Sequence, residues 1–136
     1  MIEFVIIPLP PSLNKMLLMN HHARTRLKAN IRKQIWAQVA GQKVSTTYYK
    51  DFPLQKVIIH AHRYAVRRLD GFDNYRASLK WVVDALTTRH NGLGIIQDDD
   101  DNVLKVGNIT QVKVAHINQE RLEFFIEPQS QDGTRQ

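Results

Sequence analysis

Apolar residues recur along this chain in two rhythms, and the rhythms divide it into strands and helices. Ile2 to Ile7 is β-branched and aromatic and reads as a strand. Pro8, Pro10 and Pro11 end it and hold the next stretch extended. Ser12 to Ala23 reads as a loop. From Arg24 to Lys43 a helix is predicted, because Leu27, Ile31, Ile35 and Val39 recur every four residues and form one apolar stripe. Arg24, Lys28, Arg32 and Lys33 lie off that stripe, and Gly41 falls near the helix end. Val44 to Pro53 is a connection.

Val57 to Tyr64 alternates strictly. Val57, Ile59 and Ala61 share one face, and Ile58, His60 and His62 share the other. Asn74 to Thr88 is a second helix, with Leu79, Val82, Val83 and Leu86 as its buried stripe, broken by Asn91-Gly92 and Gly94. Three short strands follow: Val103 to Val106, Gln111 to Ile117 and Leu122 to Ile126. In the middle one, Val112 and Val114 alternate with the polar Gln111 and Lys113. Asn118-Gln119-Glu120 suits a hairpin between the last two. The order is β-α-β-α-β-β-β. It predicts an α+β fold, a mixed sheet with two main helices, in one domain over residues 1–127 and a flexible tail over residues 128–136.

A chain of 136 residues is long enough for one domain with a real core. No apolar run approaches the roughly 20 residues that span a bilayer, and the start has an acid, Glu3, with no basic n-region, unlike a signal peptide. The absence of cysteine excludes disulfides and thiolate chemistry and fits a cytoplasmic setting. The net charge of +6 favours polyanions. Its distribution sharpens the picture. Four of the thirteen acids stand in one run, Asp98 to Asp101, so the remaining surface is more basic than the total implies.

That run closes an acidic stretch that opens at Asp70 and Asp73. Seven helical steps of about 100° bring Lys80 to within about 20° of Asp73, and four more place Asp84 about 40° further on. Asp73, Lys80 and Asp84 therefore share a side of the second helix. If the Asp98 run folds back beside it, carboxylate oxygens converge on a site suited to hard cations such as Mg²⁺ or Mn²⁺, with a lysine to stabilise developing negative charge. The plain alternative is structural. Asp73 is a good N-cap, Asp70-Gly71 a good turn, Lys80 and Asp84 an ordinary i,i+4 pair, and the aspartate run a solvated loop.

In this stretch the sequence resembles the RusA family of Holliday junction resolvases. The matching pieces stand in order: Arg67-Arg68, Asp70-Gly71-Phe72-Asp73-Asn74, Lys80, Asp84-Ala85-Leu86, Gly92 to Gly94, and Asp98-Asp99. Pro8-Leu9-Pro10-Pro11-Ser12-Leu13-Asn14 resembles the family's proline-rich start. The resemblance runs from about residue 4 to 126. It implies a Mg²⁺-dependent endodeoxyribonuclease, with Mn²⁺ as a substitute, that acts as a homodimer on four-way and related branched DNA in recombination and repair, often of prophage origin. It implies metal-binding carboxylates at Asp70, Asp73 and Asp99 and a catalytic lysine at Lys80. Asp98 or Asp100 could replace Asp99, because the run exceeds the family's pair. One departure stands out: the family separates its first two aspartates by one residue, and here Gly71 and Phe72 both intervene.

Lys15, Arg24, Arg26, Lys28, Arg67, Arg68 and Arg76 are the candidate phosphate contacts. His21 and His22 lie in the predicted loop, His60 and His62 on one strand face, and Trp36 and Trp81 read as packing residues. Two other functions compete. One is a catalytically weak or inactive branched-DNA-binding protein of the same family, suggested by the altered aspartate spacing. The other is a metal-dependent phosphohydrolase acting on a small molecule.

Overall fold

The computed structural model describes residues 1–40, 52–89 and 91–129. Its strands are β1 (Ile2–Ile6), β2 (Val57–Ala65), β3 (Leu104–Lys113) and β4 (Arg121–Pro128). Its helices are α1 (Leu13–Leu17), α2 (His21–Ala40) and α3 (Phe72–Leu86). The fold is α+β, with one four-stranded mixed sheet in the order β1-β4-β2-β3. β4 is antiparallel to both β1 and β2, and β3 runs parallel to β2.

The alternation in β2 is realised without a break. Val57, Ile59, Ala61, Arg63 and Ala65 are buried, and the residues that alternate with them are partly exposed. On the inner face Val57, Ile59 and Ala61 meet Ile2, Phe4 and Ile6 of β1 and Leu122, Phe124 and Ile126 of β4. Phe4 and Phe124, partners in register, stack with ring centroids 5.2 Å apart. The predicted stripes close this core: Ile31, Ile35 and Val39 from α2 and Leu79, Val82, Val83 and Leu86 from α3 are buried, and Leu27 packs at the margin.

Three expectations are corrected. The stretch Ser12 to Ala23 is not all loop. Ser12 accepts from the Lys15 N–H and starts α1, while Asn20 Oδ1 accepts from the Ala23 N–H at 2.8 Å and starts α2 three residues earlier than its stripe suggests. The expected end of α2 at Gly41 to Lys43, and the connection from Val44 up to residue 51, lie outside the described residues.

Second, Val103 to Val106 and Gln111 to Ile117 are not two strands. One continuous β3 takes in Leu104 to Val106 and Gln111 to Lys113, Val114 to Ile117 lie beyond it, and its register against β2 slips at a bulge, where Ile59 faces Val106 but Ala61 faces Ile109. A bulge inverts the alternation. Gln111 therefore turns inward and Val112 outward, 40% exposed, the reverse of the expected phase.

Third, Asn118-Gln119-Glu120 does not close a hairpin. A 3-10 turn over Ile117–Gln119 leads to β4, which pairs on the far side of β2 from β3. Among the described residues the sheet therefore has four strands rather than the five expected, flanked by three helices. At the end of the chain, Pro128 still pairs with Val57, and the Gln129 N–H donates to Lys56 O. The rest of the expected tail, residues 130–136, lies outside the described residues.

Candidate functional site: a lysine between two aspartates

α3 begins where Gly71 adopts φ +79°, a left-handed conformation that a side chain disfavours. Asp73 therefore lies in the first helical turn and is not the N-cap. A carboxylate there is favoured by the helix dipole. The Asp70 carbonyl accepts from Asn74 Nδ2 at 2.6 Å and ties the turn to the helix. The Asp70 and Asp73 side chains face solvent.

Two turns along α3, Lys80 Nζ lies 3.1 Å from Asp84 Oδ1 and 3.7 Å from Asp99 Oδ2. The fold thus brings the aspartate run back to the helix, as the sequence pattern requires. The four aspartates divide the work. Asp98 pairs with Arg89 at 3.1 Å and accepts from the Asp99 N–H at 2.7 Å. Asp100 Oδ1 accepts from the N–H groups of Asn102 and Val103 and closes the turn into β3. Asp101 is exposed. Asp99 is the member that faces Lys80. Arg89 was missed in the sequence because it follows the helix and carries no motif, yet it compensates part of the run's charge.

Lys80 is 62% exposed. Ion pairs at such exposure contribute little to stability, ~0–1 kcal/mol, so the fold has small need of this one. The cluster borders a groove of about 450 Å³ between α3 and β3. Arg76, Lys80 and Asp99 form its polar side, and Leu79, Val83, Leu104, Val106 and Ile109 its apolar floor. Lys28 and Arg32 of α2 approach the other side of Asp84.

Asp70, Asp73 and Asp99 do not form one ligand group. Among the described residues no three His, Asp or Glu side chains gather so as to hold a metal ion. The donors are oxygens of the kind that suits Mg²⁺, but their arrangement does not supply a complete ligand set. The strand-face histidines are engaged elsewhere. His60 accepts from the Asn108 N–H at Nδ1, so its Nε2 carries the proton directed at Glu127, 3.1 Å away. His62 Nδ1 meets Thr110 Oγ1 at 2.6 Å.

Of the candidate phosphate contacts, Lys15, Arg26, Lys28, Arg67, Arg68 and Arg76 are exposed. Arg24 is turned inward, donating from Nη2 to Met16 O at 2.9 Å, with its Nε buried. Trp81 is buried, as its packing role requires, and Trp36 is 43% exposed.

A buried arginine was also missed. Arg63 occupies the inward phase of β2 after Val57, Ile59 and Ala61, a phase readable in the alternation itself. Its Nη1 donates to Arg67 O at 2.9 Å, and Gln111 holds Leu69 by its N–H and carbonyl. Burial pulls the guanidinium pKa down, with Glu120 and then Tyr75 opposing that shift. Tyr75 donates its hydroxyl to Thr110 O at 2.7 Å, and burial pushes its phenol up to about 12. These groups anchor the segment that delivers Asp70.

No family model and no curated protein matches the chain. No helix among the described residues is long and apolar enough to cross a membrane.

Proposed function

We propose that this protein is a Mg²⁺-dependent DNA endonuclease of the RusA type that cuts four-way and related branched DNA as a homodimer. The observation that carries the reading is Lys80 held between Asp84 and Asp99 at the rim of a groove, in a chain of net charge +6. An ammonium fixed beside carboxylates is placed to stabilise charge developing on a phosphodiester. Asp84 and Asp99 fix its position, Arg76 offers the adjoining positive charge, and the exposed Lys28, Arg67 and Arg68 are further cations for the backbone of the strand. Mg²⁺, with Mn²⁺ as a substitute, is the cofactor this reading calls for, on Asp70, Asp73 and Asp99. A four-way junction has near two-fold symmetry, and paired cuts suit a two-fold dimer.

The test is incubation of a synthetic four-way junction with and without Mg²⁺, beside linear duplex and the Asp99→Asn variant. Paired symmetric nicks that need the metal and vanish in the variant are expected. One observation favours a second reading, a branched-DNA-binding protein without cleavage: the three implied ligands do not gather in the fold. Tight junction binding with no nicking under Mg²⁺ or Mn²⁺ would establish that reading instead.

A further inference from the structure

A second groove lies where β2 ends, between the proline segment and the turn that joins β3 to β4. It encloses about 710 Å³. Its lining is divided: Lys15, Arg63 and Arg67 supply positive charge, while Pro10, Leu69 and Ile117 supply an apolar wall. Arg63 is the unusual member. It is 8% exposed, its Nε is buried with no hydrogen-bond partner, and no carboxylate forms an ion pair with it among the described residues. Glu120, the acid on the same lining, already accepts from the Val66 N–H at 2.9 Å. A buried guanidinium without a paired anion is unfavourable. A bound oxyanion would correct it. At the rim, Ile117 is 78% exposed, a large apolar side chain held out by the 3-10 turn.

We infer that this groove binds one unpaired nucleotide, its phosphate on Arg63, Lys15 and Arg67 and its base against Pro10, Leu69 and Ile117. A free anion needs only the cations. A paired duplex shows the protein its phosphates and sugars and keeps its base faces stacked inside. An unpaired nucleotide presents a charged group and an apolar face together, which is the division seen in the lining. Branched DNA offers such nucleotides wherever pairing opens at the exchange point. The inference thus deepens the nuclease reading and, for its biological ligand, rests on it.

The experiment follows the Arg63 Nε–H resonance of the intact chain by NMR. The probes are inorganic phosphate, a 5′-phosphorylated thymidine tetranucleotide and a short blunt duplex. The tetranucleotide should shift the resonance and bind at least about tenfold more tightly than phosphate, as added apolar contact requires. Ile117→Ser should remove most of that advantage and leave phosphate affinity alone. Arg63→Gln should weaken both ligands by about tenfold or more, the loss expected for a charged hydrogen bond. If that variant does not fold, Lys15→Gln, at an exposed position, should weaken both by a smaller factor.

Equal affinity for phosphate and tetranucleotide would overturn the inference, as would a resonance that moves only with duplex. Junction nicking without tetranucleotide binding would remove the inference and leave the nuclease reading standing. Tetranucleotide binding without nicking would do the reverse.

Discussion

The two outer strands of the sheet end their hydrogen bonding in opposite ways. Beside β1 lies α2, and two of its glutamines, one turn apart, take the place of a fifth strand. Gln38 Oε1 accepts from the Val5 N–H and its Nε2 donates to Val5 O, both at 2.7 Å. Gln34 repeats the pattern on Ile7, at 3.0 and 2.8 Å. A primary amide has the donor and acceptor of a peptide group, so from Val5 to Ile7 the edge is satisfied by side chains, which block another strand from pairing there. At the other edge, β3 has no further strand among the described residues. It is bulged at Gly107, leaves Val106 51% exposed, and borders the groove that holds Lys80 and Asp99. The closed edge is construction. The open edge is where the fold leaves charge and concavity together.

Substitutions at the two edges should therefore separate activity from stability. The largest effect belongs to the open edge. Lys80→Ala should lower junction nicking about 10²- to 10³-fold while the melting temperature barely moves, since an exposed ion pair contributes little. A single-turnover assay beside a melting curve checks both, and a variant that melts early but still cuts would reverse the assignment. At the closed edge, the double change Gln34→Leu and Gln38→Leu should cost about 3 kcal/mol in urea unfolding, because backbone groups lose their partners. Nicking by the folded fraction should be unchanged.

Gly107→Ala is expected to cost about 1–3 kcal/mol. A Cβ there would strike the His60 ring, which is held between the Asn108 N–H and Glu127. An unchanged denaturation midpoint would mean that the bulge tolerates a side chain. The smallest effect is that of pH. The Tyr75 phenol titrates near 12 in the folded chain and near 10 when unfolded. A folded pKa above the unfolded one means that its contribution is complete below about pH 10 and is lost as pH rises from about 10 through 12. Tyr75→Phe should flatten this part of the stability profile and cost about 1 kcal/mol at neutral pH; an identical alkaline decline in the variant would exclude Tyr75 as its source.

How far the sequence reveals this arrangement depends on the range of the interactions. The stripe of Ile31, Ile35 and Val39 and the alternation of β2 are local, and both were readable. The return of the aspartate run to the helix entered the sequence reading only as a condition, and the fold meets it with Asp99 3.7 Å from Lys80. The phase of β3 was not readable, because one extra residue at the bulge exchanges the two faces and makes a continuous strand look like two. The place of β4 was hidden because strand order depends on pairings between residues far apart. The glutamine clamp was equally hidden: Gln34 and Gln38 look like ordinary polar helix positions until β1 lies beside them. In the site, the resemblance already pointed to Asp99, and the physical difference within the run lies in its partners: Arg89 pairs with Asp98, while Asp99 faces Lys80.

The position of β4 also governs how the chain must fold. It is the last strand among the described residues, yet it lies between β1 and β2, and Ile126 meets Ile2 across almost the whole chain. Leu122, Phe124 and Ile126 are fully buried there. A chain emerging in sequence therefore has β1 early and no antiparallel partner for it until the end. Closing so long a loop before the core can form sets a slow step, as high contact order does generally. Until β4 arrives, the apolar faces of β1 and β2 have each other's company in sequence but not in space.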